Sequence, residues 1–93
     1  MTNTFLAVLT VTAYVATGRP AANMKPPIAG ITCAASRRIP LGTTLLIEGV
    51  GRRVVTDRLA MAYDNRIDLF FETGKRSAQI WGAKKRRIWI VSK

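Results

Sequence analysis

Ninety-three residues suffice for one domain with a single core and leave no room for a catalytic domain beside a separate binding domain, so residues 1–93 read as one unit. Nearly half the residues are apolar (48%), and the glycines and prolines stand as isolated punctuation, which excludes a disordered chain. Fifteen Lys and Arg against five Asp and Glu give a formal charge of +10, while one cysteine and no histidine exclude an intrachain disulfide and the usual zinc and Cys-His arrangements.

The segment from Phe5 to Ala16 is apolar, but no basic stretch precedes it, Thr10, Thr12 and Tyr14 interrupt it, and it is too short to span a bilayer as a helix. It reads as a strand, because Leu9-Thr10-Val11-Thr12-Ala13-Tyr14 alternates with the period of two that buries one face. If the start is the true one, the chain carries no export signal of its own. Gly18, Pro20, Asn23, Pro26 and Pro27 make Val15 to Pro27 a long loop. Ile28 to Ala35 reads as a second, mostly buried strand, in which Cys33 serves as a small hydrophobe rather than a reactive thiol.

Ser36 to Thr43 turns the chain through Pro40 and Gly42, and Thr44-Leu45-Leu46-Ile47-Glu48 forms a third strand. Gly49-Val50-Gly51 is a tight turn into a fourth strand, Arg52-Arg53-Val54-Val55-Thr56-Asp57, which ends on a carboxylate. After a polar connection from Arg58 to Asn65, Arg66-Ile67-Asp68-Leu69-Phe70-Phe71 is a fifth strand. A short helix runs from an N-cap at Thr73 to Trp81, with Ala78 and Trp81 on its apolar face and Gly82 as its stop. Arg86 to Val91 is the last strand. Six short strands and one late helix give an all-β fold, and closure into a small barrel removes edges that would otherwise pair with other chains.

One acid stands apart. A charged carboxylate inside a run as apolar as Ile67-Asp68-Leu69-Phe70-Phe71 is costly to bury, so Asp68 must be protonated, paired or open onto a groove. Alternation puts Asp68 on the side of Arg66 and Phe70, opposite Ile67, Leu69 and Phe71. A salt bridge to Arg66 is the purely structural reading. Asp57 supports the chemical one, since adjacent strands bring two carboxylates together and push their proton affinities apart. Asp64, between Tyr63 and Asn65, reads as a turn acid.

The succession Thr12-Ala13-Tyr14, Ala34-Ala35, Ile39-Pro40-Leu41-Gly42-Thr43, Val54-Val55-Thr56-Asp57-Arg58, Arg66-Ile67-Asp68-Leu69-Phe70-Phe71, Ala78 and Trp81-Gly82 resembles the three-aspartate (3D) domain of bacterial lytic transglycosylases over roughly residues 8–92. The resemblance implies a six-stranded double-psi β-barrel. It implies Asp68 as catalytic acid and base and Asp57 as its supporting partner. Ser36 stands near the place of the family's first aspartate, and Asp57-Arg58-Leu59-Ala60 replaces the common Asp-Thr-Gly-Gly.

The substrate so implied is the β-1,4 bond between N-acetylmuramic acid and N-acetylglucosamine in peptidoglycan strands, cleaved to a 1,6-anhydro end without cofactor or metal. Thr12, Tyr14, Thr43, Arg58 and Arg66 are candidate sugar contacts, with packing and turn-bracing as the alternative for Tyr14 and Thr43. The expected setting is cell wall or periplasm, reached by a monomer with affinity for anionic wall polymers, or as a phage-encoded lysin released without a leader. Two other readings remain. One is a module that binds wall glycan without cutting it. The other is a nucleic-acid binder using Lys84-Lys85-Arg86-Arg87, Arg37-Arg38, Arg52-Arg53 and Lys75-Arg76.

Overall fold

A computed structural model describes residues 2–15, 20–59, 65–71 and 75–92. The strands are β1 (Asn3–Val15), β2 (Thr32–Ala35), β3 (Thr44–Ile47), β4 (Gly51–Arg58), β5 (Arg66–Phe71) and β6 (Lys84–Val91), with helix α1 (Lys75–Trp81) between the last two. They close into one barrel in the order β1-β5-β2-β4-β3-β6. Two pairs are parallel, β1 with β5 and β2 with β4, and the other four are antiparallel. β1 is long enough to serve two neighbours, its first part pairing with β6 from Asn3 and its last six residues pairing with β5.

Alternation decides which side chains enter the barrel. Val11, Cys33, Leu45, Val55, Ile67 and Ile88 are wholly buried, and Leu69 and Ile47 nearly so. Burying each Val, Leu or Ile contributes about 1.5–3 kcal/mol, which makes this interior the main source of stability. Burial also pushes the Cys33 thiol up to about 12, so it stays protonated and inert as a small core residue. Helix α1 packs on β1. Trp81 holds it there by donating Nε1–H to the Val11 carbonyl (3.1 Å), stacking edge-on against Phe71 and carrying the Lys84 ammonium 4.1 Å above its ring.

The second strand is shorter than its composition suggests. Residues 28–31 form a turn, with the Thr32 amide donating to the Ile28 carbonyl (2.8 Å), the Ile28 amide to the Thr32 hydroxyl (2.8 Å), and Gly30 at φ +80°. A glycine in the left-handed region reverses the chain where apolar content alone indicates a strand, and Ile28 and Ile31 stay exposed. At the other end, β6 starts two residues early, at Lys84. The expected N-cap Thr73, and Tyr63 and Asp64, lie outside the described residues.

Ile67→Ala opens a cavity at the centre of this core. It should lower the unfolding free energy by about 2–5 kcal/mol, measured by urea denaturation.

Candidate functional site

The site forms on the outside of the barrel, where β1, β5, β2 and β4 run side by side. Thr12 pairs with Asp68, Asp68 with Ala34, and Ala34 with Asp57, so the four stand in one row across four strands. Neighbouring strands lie about 4.8 Å apart, which puts the backbones of the two aspartates about 10 Å apart with Ala34 between them.

Asp57 reaches this row through an irregularity. Cys33 pairs with Val55, but Ala34 pairs with Asp57, so Thr56 is an extra residue in β4. A one-residue slip exchanges the two faces of a strand. Without it, Asp57 would follow Val55 by two positions and enter the core.

Among the described residues three donors hold the Asp57 carboxyl: Tyr14 Oη–H to Oδ2 (3.1 Å), and the backbone N–H groups of Ala22 (3.1 Å) and Arg58 (2.9 Å) to Oδ1. Ala22 comes from the loop after β1, which is anchored by the buried Ala21 and by the Asn23 amide on the Thr56 carbonyl (3.1 Å). Burial, followed by the charge of Asp57, pushes the Tyr14 hydroxyl far above its ordinary value and keeps it a donor. Its ring meets Phe70 edge-on at 5.4 Å.

Asp68 accepts a hydrogen bond from the Thr12 hydroxyl. Its proton affinity is raised, chiefly by half-burial, with the Arg66 charge opposing and the Asp57 charge adding. Desolvation, more than the second carboxylate, therefore favours the protonated form. Arg66 sits two residues along the same face and also lines a cavity of about 310 Å³ with Leu9, Ser36, Arg38 and Ile39 at the adjoining rim.

Thr12, Tyr14, Asp57 and Asp68 are thus assembled, with Arg66 beside them. Two other candidates stand elsewhere. Arg58 pairs with the core residue Ala35, and its guanidinium donates to the carbonyls of Ser36 (2.8 Å) and Ile39 (2.5 Å), so it braces the turn into β3. Thr43 is joined through its backbone to Pro40 and Val55 and makes no hydrogen bond to either aspartate among the described residues. Sequence reasoning missed the Ala22 amide and Ala34. Neither a backbone N–H nor a methyl group carries a chemical signature.

The family model described as the 3D domain matches residues 31–92, two thirds of the chain. The chain belongs to the 3D domain family. That family is built on the double-psi β-barrel, in accord with the closed six-stranded barrel seen here. Both aspartates lie inside the region matched to the 3D domain, whereas Thr12 and Tyr14 precede it. A search of curated proteins found no match to the chain.

The raised affinity of Asp68 sets a sign for stability. Burial penalises the ionised carboxyl, so the folded state loses stability relative to the unfolded chain as pH rises from the ordinary value of 3.8 through the raised one. Asp68→Asn removes that ionisation. The variant should be more stable than wild type at pH 7, and the gap should close as pH falls below 4, in denaturation series at several pH values.

Proposed function

We propose that the acid row cleaves peptidoglycan glycan strands as a lytic transglycosylase. Membership of the 3D domain family is consistent with a cell-wall-related domain. The observation that carries the finer reading is a half-buried carboxyl on an outer barrel face, its proton affinity raised by burial, with a second carboxyl one small residue away.

In the proposed reaction, protonated Asp68 donates to the glycosidic oxygen as the bond from C1 of N-acetylmuramic acid breaks. The Asp68 carboxylate left behind takes the proton of the C6 hydroxyl as that oxygen attacks C1. The product is a 1,6-anhydro ring, no water is consumed, and Asp68 regains its proton. One principal acid suffices because the nucleophile is part of the substrate, unlike ordinary glycosidases that use two carboxylates. Asp57 favours the proton on Asp68 and offers negative charge to the oxocarbenium-like centre. Thr12 fixes the Asp68 carboxyl, and Tyr14 does the same for Asp57. Arg66 limits how far the Asp68 affinity rises.

Purified sacculi incubated with the protein should release muropeptides with anhydro ends, identified by mass spectrometry. Reducing ends would make it a hydrolase, and bound but intact sacculi a glycan-binding module. Asp68→Asn should lower the rate by about 10²–10⁴-fold while binding persists. Asp57→Asn should be milder. By removing a negative neighbour it lowers the Asp68 affinity, so the fall of activity at high pH should move to lower pH.

A further inference from the structure

Further round the barrel, and meeting the acid row along β1, a second surface forms on β3, β6 and the early part of β1. Register aligns Arg52, Leu46, Trp89 and Phe5 in one row across four strands. One step along, Arg87 faces Val8, and Lys85 faces Thr10. Phe5 and Val8 are 53% and 54% exposed, and Leu6, at the bulge between Phe5 and Ala7, is 37% exposed. Monomeric surfaces rarely leave aromatic and aliphatic side chains contiguous in this way.

The surrounding charge narrows the occupant. Lys85, Arg52 and Arg87 are exposed cations beside the apolar strip, and among the described residues Arg87 pairs with Glu48 at 3.1 Å. With a formal charge of +10 on the whole chain, long-range attraction favours an anionic partner. A single-stranded nucleic acid stacking here would need open ring faces for its bases. Instead, the Phe5 and Trp89 rings meet edge to face at 73° with centroids 5.9 Å apart, and Trp89 is half-buried. Leu6 and Val8 have no use in stacking. Aromatic and aliphatic tips framed by Lys and Arg suit the boundary between acyl chains and anionic headgroups.

We infer that the β1–β6 face docks peripherally on membranes containing anionic lipid, with Phe5, Leu6 and Val8 entering the interface and Lys85, Arg52 and Arg87 meeting the headgroups. This surface adjoins the acid row along β1, where Thr10 pairs with both Lys85 and Arg66 and Leu6 lines the cavity beside Arg66, but its occupancy does not require glycan cleavage.

Sedimentation of the full chain with vesicles tests it. Binding is expected to vesicles of mixed phosphatidylglycerol and phosphatidylcholine, and to weaken with salt as surface charges are screened. The double substitution Phe5→Ser and Val8→Ser should reduce that partition about tenfold or more, since both side chains lose apolar burial. Lys85→Gln, at an exposed position, should weaken binding at low salt with little effect at high salt. Thermal unfolding of each variant verifies that the barrel remains. No binding, or equal binding to pure phosphatidylcholine, would overturn the proposal. So would loss of self-association in the double variant without vesicle binding by wild type, which makes the face a contact between two copies. Binding of a single-stranded oligonucleotide but not of vesicles, abolished by the same substitutions, would also refute it.

Discussion

Where β2 meets β4, the pairing slips by one residue, and the outward stance of Asp57 follows from that slip. Thr56 occupies the extra position, its hydroxyl donating to the Thr32 hydroxyl (3.3 Å) and its carbonyl accepting the Asn23 amide. Bulges of this kind re-aim a side chain locally without disturbing the rest of a barrel. Here one carboxyl is kept out of an interior that offers it no partner. Arg58, next along, is sent to the opposite side, where two carbonyls of the β2–β3 turn receive its guanidinium. The same slip thus sets an acid into the outer row and a brace under the adjoining turn.

The two aspartates are treated differently by their surroundings. Asp57 meets a ring of fixed donors, two from the backbone and one from Tyr14, so its oxygens act as acceptors. Asp68 has the Thr12 hydroxyl and partial exclusion from water, which favours its neutral form. Small residues make the pair interact. A bulkier side chain at Ala34 would fill the gap between the carboxyls and weaken the electrostatic contact that ties their protonation together.

Much of the site was legible because strand alternation is a short-range rule. Arg66 to Phe71 alone places Ile67 and Leu69 inside and Asp68 outside, and the barrel keeps that assignment. The bulge at Thr56 was not legible, since it exists only in the pairing of β4 with a strand about twenty residues earlier. Nor was the turn at residues 28–31, where Gly30 outweighs the apolar neighbours. The run Lys84-Lys85-Arg86-Arg87 reads in one dimension as a basic cluster. On β6 it splits: Lys85 and Arg87 face water, while Lys84 lies on the Trp81 ring and Arg86 is half-buried. Periodicity predicts such a split for any charge run once it is assigned to a strand.

Every strand has a hydrogen-bonded neighbour on each side. Closure is uneven along β1, however: among the described residues, Asn3 to Leu9 pair with β6 alone, because β5 joins only from Thr10. A chain-like partner can therefore be met by main-chain pairing along that stretch, and elsewhere by side chains and loop amides such as that of Ala22. Where both edges of a strand are paired, selectivity is written in rotamers and loop positions, so a change of partner there would require few substitutions and no change of strand order.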